Sequence, residues 1–163
     1  MTQIVAIDPG TTESAYAMMI GKRLQCFGKV ANQTIIDYID SGAISGSLLA
    51  IEQVASYGMP VGAEVFATVH WSGRFEQAWR QAQGETTTVK MITRNAVKMA
   101  LCYRTQGVND GVIRQRVIDL YGGKDIAVGK KKSPGPLYGV SGDEWAAIAL
   151  GLMVLIESRP PLA

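Results

Sequence analysis

Two short segments share one design, and they constrain the fold more than anything else in the chain. Ile4-Val5-Ala6-Ile7 runs straight into Asp8, and Leu48-Leu49-Ala50-Ile51 runs straight into Glu52. An unbroken apolar run of that length, bounded by turn residues, suits a strand buried on both faces. Gln33 to Ile39, between them, reads as a short helix with Ile35, Ile36 and Ile39 on one face and Asn32 as its expected N-cap. If that helix belongs to a crossover, right-handed connectivity lays the two strands parallel in one sheet. Both acids then stand at the carboxyl ends of neighbouring strands, the edge where open α/β sheets hold their ligands. Two carboxylates in one crevice repel unless a proton or a metal sits between them. Asp8-Pro9-Gly10 is also good turn chemistry, so a plain turn-forming role for Asp8 stands beside the functional one.

The rest of the chain supplies three more strands and several helices. Ser14–Ile20 and Leu24–Val30 flank Gly21-Lys22-Arg23, the pattern of a hairpin, so the opening reads as a three-stranded antiparallel meander. Ala63–Gln83 is a long helix whose apolar residues include Val65, Phe66, Val69, Phe75 and Trp79, more than a lone exposed helix needs; part of it is expected to face another subunit. Thr86–Ile92 reads as the fifth strand and Arg94–Leu101 as a short helix. Asp110–Leu120 reads as another, with Asp110 as N-cap and Gly122-Gly123 as its stop. Gly129 to Gly139 is a loop by composition. A last helix begins at Ser141-Gly142-Asp143-Glu144 and runs through Glu157. Ser141 and Glu144 have capping-box spacing, which gives Glu144 a structural role and leaves Asp143 without one beyond favouring the helix N-terminus. Ala146, Ala147, Leu150 and Gly151 form a stripe, mostly of small residues, that lets this helix approach the sheet and carry Asp143 toward the other acids.

Composition narrows the classes. A length of 163 residues with 47% hydrophobic content suits one domain over 1–163. The longest nearly unbroken apolar stretch, Trp145 to Ile156, is 12 residues and too short to cross a bilayer. No secretory signal is readable at the N-terminus. Cys26 and Cys102 form neither a disulfide framework nor a metal-spaced cluster, so they read as reduced thiols of a cytoplasmic protein. His70 is the only histidine, which argues against zinc.

Net charge is only +2, but between Gly84 and Ser133 ten basic residues face four acidic ones. Such an excess reads either as a solvated helical face with a lysine-rich loop or as a surface for phosphates.

Asp8, Glu52 and Asp143 are thus three acids drawn from the start, middle and end of the chain toward one edge. Carboxylates without histidine or cysteine are hard oxygen ligands suited to Mg²⁺, with Mn²⁺ as substitute. Two such ions about 4 Å apart can activate a water and stabilise the leaving oxygen of a phosphodiester.

Ile7-Asp8-Pro9-Gly10, Ala50-Ile51-Glu52-Gln53-Val54 and the Asp143 segment resemble the three acidic motifs of RuvC-type Holliday junction resolvases. The RuvC-like proteins of phages and prophages are more similar still. There Val97–Cys102, Asp110–Asp119 and Pro134–Gly139 also have counterparts in matching order. The resemblance implies an α/β, ribonuclease H-like fold: a mixed five-stranded sheet with helices on both faces. It also implies a homodimeric endonuclease that cuts branched DNA, chiefly four-way junctions, by symmetric hydrolysis with two divalent ions per site. By that likeness Asp8 would bridge two metals, Glu52 would hold one and Asp143 would complete the set. Arg94, Lys98, Arg104 and Lys130, Lys131 and Lys132 would meet phosphates, giving salt-sensitive affinity. Tyr57, just after Glu52, reads either as a stacking platform for an unpaired base or as an ordinary loop tyrosine. Met59, Pro60, His70 and Trp71 read as packing or dimer contacts.

One departure stands out. Bacterial members carry a second acid three residues after the first in the last motif, where this chain has Ala146. Glu144 and Asp110 are the candidate replacements, with Asp110 expected to serve its helix instead. Three rival readings follow. The Asp8–Thr12 loop also looks like the phosphate loop of the sugar kinase and actin superfamily, but those proteins need two such domains. A ribonuclease H acting on RNA/DNA hybrids would use the same acids. A non-catalytic branched-DNA-binding protein would tolerate Ala146.

Overall fold

The computed structural model describes residues 1–158. Five strands form one mixed sheet: β1 (Gln3–Asp8), β2 (Glu13–Ile20), β3 (Arg23–Ala31), β4 (Leu48–Gln53) and β5 (Thr88–Thr93), in the order β3-β2-β1-β4-β5. The meander is antiparallel, and β4 joins β1 in parallel with Ile4 opposite Leu48 and Ile7 opposite Ile51. β5 continues in parallel, with Glu52 opposite Ile92. The expected crossover therefore forms, through α1 (Asn32–Asp40).

Alternation along β1 sends Ile4 and Ala6 to one face and Val5 and Ile7 to the other, so a single strand anchors two cores. The first core packs α3 (Arg94–Cys102), α4 (Asp110–Leu120) and α6 (Glu144–Glu157); the second packs α1 and α2 (Ala63–Gln83). This is the ribonuclease H-like α/β arrangement. Small residues let α6 lie close to the sheet: a Cβ at Gly151 would stand 2.6 Å from Met19 Sδ and 3.6 Å from Ala6 Cβ. On α2, Phe75 and Trp79 are buried, whereas Phe66 and Val69 near its start are exposed.

Four local expectations need correction. Asn32 does not cap α1; Ala31 holds that position without a side-chain bond, and Asn32 is instead buried under the turn after β1. Asp110 does not cap α4, because Asn109 does so by accepting from the Val112 amide at 3.0 Å. The capping box of α6 forms by half: Glu144 accepts from the Ser141 amide at 2.8 Å, while no side chain caps the helix start. Gly129 to Gly139 is not all loop, since β6 (Gly129–Lys130) pairs with β7 (Ser133–Pro134), and a one-turn helix, α5 (Lys124–Ala127), precedes it.

Candidate active site

Parallel pairing puts Asp8 and Glu52 on adjacent strands, each one residue beyond the Ile7–Ile51 pair. The turn that follows Asp8 is held by a small buried network. The Gly10 amide donates to Ser14 Oγ at 3.0 Å, Ser14 Oγ donates to Asn32 Oδ1, and Asn32 Nδ2 donates to the Gly10 carbonyl at 3.0 Å. Ser14 and Asn32 are both buried, so every polar group of this pin finds its partner inside the protein. Gly10 admits no side chain, because a Cβ there would fall 2.2 Å from the Glu13 carbonyl oxygen.

The carboxylates at this edge meet two cations. Arg94, the first residue of α3, donates through Nε to Glu52 at 3.0 Å and through a terminal nitrogen to Asp110 at 2.6 Å. Lys29 on β3 pairs with Asp143 at 2.7 Å. Asp8 has no ion pair among the described residues, and its pKa is pushed up to about 7. Burial is the main cause, then the charge of Glu52; Arg94 offsets part of this, while Asp143 and Asp110 add to it. Burial alone would lower the Arg94 guanidinium, yet Glu52, by charge and hydrogen bond, with Asp110 and Asp8, holds it above its usual value. The Asp143 hydrogen bond and charge likewise raise Lys29. With Asp8 ionised, four carboxylates face two cations, a net charge of −2.

This charge deficit, made wholly of oxygen donors, fits a hard divalent cation. Among the described residues, however, no three acids are drawn together into a ready metal cluster. Arg94 and Lys29 stand among them instead. A cavity of about 40 Å³ opens between Arg94, Asp110, Asp143, Trp145 and Ala146, where a longer side chain at 146 would have room.

The expected site residues divide by position. The electrostatics tie Asp8, Glu52, Asp143 and Asp110 together. Glu144 serves the α6 terminus. Arg94 is engaged with acids rather than standing free for a phosphate. Lys98 lies four residues further along α3, Arg104 folds back on the Gln106 carbonyl at 3.0 Å, and Lys130, Lys131 and Lys132 occupy the exposed β6–β7 hairpin. Tyr57 is exposed with φ at 47°, a conformation costly for a tyrosine. Ser14 and Lys29 escape sequence reasoning, and Asn32 is read there only as a cap. The only trace of Ser14 and Asn32 is a polar residue beside an apolar strand, a common pattern.

No known protein family and no curated protein matches the chain by sequence. Solved structures do match by fold. The Thermus thermophilus RuvC structure superposes with a TM-score of 0.69 at 16% identity, covering 96% of this chain and 95% of that one. T. thermophilus RuvC in complex with Holliday junction substrate gives the same TM-score at 18% identity, covering 98% of this chain and 96% of the other. The chain therefore has a RuvC-like fold. Among the described residues no helix is long and apolar enough to cross a membrane.

Proposed function

We propose that this chain is a divalent-metal-dependent endonuclease of RuvC type, related to the phage branch, which resolves four-way and other branched DNA junctions as a homodimer. The observation that carries this reading is the Asp8–Glu52 pair at adjacent strand ends, charge-coupled to Asp143 and Asp110, in a fold shared over nearly its whole length with a junction-bound protein. Asp8, Glu52 and Asp143 would hold the metal, two Mg²⁺ ions per site with Mn²⁺ as substitute. Asp110 would replace the acid missing at Ala146 better than Glu144, because it lines the cavity beside Ala146 and Asp143 whereas Glu144 serves the start of α6. Bound there, the ions supply water activation and leaving-group stabilisation. The chain's own contribution is to fix Asp8 through the Ser14–Asn32 pin, to orient Glu52 and Asp110 through Arg94, and to steer DNA with Lys98, Arg104 and Lys130 to Lys132. Tyr57 would offer its exposed ring to an unpaired base at the branch point.

One observation favours a second reading. Three of the four acids already hold protein cations, which suits a branched-DNA-binding protein that does not cut. Four-way, three-way and linear DNA, with an RNA/DNA hybrid beside them, separate the readings at millimolar Mg²⁺. Paired symmetric nicks in the four-way junction are expected. Junction binding without nicks would favour the second reading, and cleavage of the hybrid alone would make this a ribonuclease H.

A further inference from the structure

Arg94 occupies a position that ordinary helix energetics disfavour. It is the first residue of α3, where the positive end of the helix dipole repels a cation, and its side chain is two-thirds covered. Two carboxylates outweigh that cost: Glu52, itself largely covered, and Asp110, which is almost fully exposed. These same two groups stand among the acids to which the proposed nuclease assigns its metal. Arg94 and a divalent ion would compete for Glu52, since two positive charges drawn to the same carboxylate repel each other at hydrogen-bond range.

We propose that Arg94 is a counter-ion of this carboxylate edge that competes with a divalent cation for Glu52 and Asp110. Its guanidinium holds the two acids in place, and a divalent cation displaces it from them. The role is one of positioning, acting through Glu52, and it rests on the nuclease reading. It accounts for two otherwise separate facts: among the described residues no three acids form a ready metal cluster, and a cation sits at the start of a helix. Lys29 does not share the role, because its pair with Asp143 is exposed on both sides.

The test uses the intact protein. Mn²⁺ binding, followed by the loss of its free electron paramagnetic resonance signal, is compared between wild type and Arg94→Gln. Removing a charge-assisted competitor should tighten Mn²⁺ binding roughly tenfold. Equal or weaker binding by a folded variant overturns the proposal. A second arm needs no variant: the Arg94 Nε–H resonance of wild type, assigned by through-bond correlation, is followed during Mg²⁺ titration. A shift that saturates with the metal supports release, whereas an unmoved resonance at saturating Mg²⁺ overturns it. Junction nicking by the same preparation keeps two failures apart. Nicking with an unmoved Arg94 removes only the counter-ion role, while absence of both nicking and metal binding removes the nuclease reading and this role together.

Discussion

Two ion pairs border the same carboxylate edge, and they differ in what surrounds them. Arg94 and Glu52 are mostly covered, with side chains 32% and 14% exposed, while Lys29 and Asp143 stand in solvent at 42% and 57%. Charges in water are screened and gain little by pairing, so the outer pair is nearly free to exchange partners. The inner pair is desolvated, and breaking it leaves a covered charge alone. Asp8 lies between the two and is half-buried without a cation of its own. The edge is therefore graded: a firm inner set, an adaptable outer acid, and an uncompensated carboxylate where the strands end. A site arranged this way carries charge at its centre that a bound cation, or a proton on Asp8, would neutralise.

The largest effect should come from Asp8. Its proton is held up to about pH 7 in the folded chain but is lost near 3.8 in the unfolded one. The folded state thus binds more protons through that window, and stability falls as pH rises from about 4 to about 7, then levels off. The contribution is on the order of a few kcal/mol. Asp8→Asn should flatten that slope, gaining stability over wild type at pH 8 but little at pH 4, with urea unfolding at each pH as the measurement. Junction cleavage should be lost while junction binding persists, because the basic surface is untouched. An unchanged pH slope would mean that the inner edge stores no such charge, and the comparison with the outer pair would collapse.

Next comes the neutral support. Asn32→Ala deletes one corner of the buried pin and leaves the Gly10 carbonyl and Ser14 hydroxyl short of partners. A loss of about 1–3 kcal/mol is expected from unfolding curves, independent of pH. A pH-dependent loss would show that the pin acts through the charge of Asp8 rather than through its geometry.

How much of this could be read from the chain follows a physical division. The acid-tipped strands were legible because a strand buried on both faces must be apolar along its whole length, so a carboxylate at its end is conspicuous. The parallel β1–β4 pairing follows from those strands and a crossover between them, while the five-stranded mixed sheet as a whole is what the family resemblance implies. Partners at the ends of helices were not legible. Asn109 and Asp110 are neighbours with nearly equal capping chemistry, and only the backbone decides which is turned inward. Asn32 read as a cap because asparagine usually is one, yet the Asp8–Ser14 turn claims its side chain first. Arg94 looked like a phosphate contact because sequence counts charges without showing which acids lie across the sheet edge. The β6–β7 hairpin was missed because its two-residue strands are too short for any periodicity.

The smallest effect belongs to the outer pair. Lys29→Ala removes the partner of Asp143, but both side chains are solvated, so the change in stability should stay below about 1 kcal/mol and shrink further in salt. Its consequence should lie in metal binding instead. Lys29 draws on the same carboxylate that the nuclease reading gives to Mg²⁺, and its charge reaches Asp8 as well. Without it the edge becomes more negative, and Mn²⁺ should bind modestly tighter, by less than for Arg94→Gln, because an exposed competitor is displaced at little cost. Calorimetric titration of the two variants side by side ranks them. Should Lys29→Ala tighten binding more than Arg94→Gln, the firm member of the edge is the exposed pair, and burial is not what decides which acid gives way.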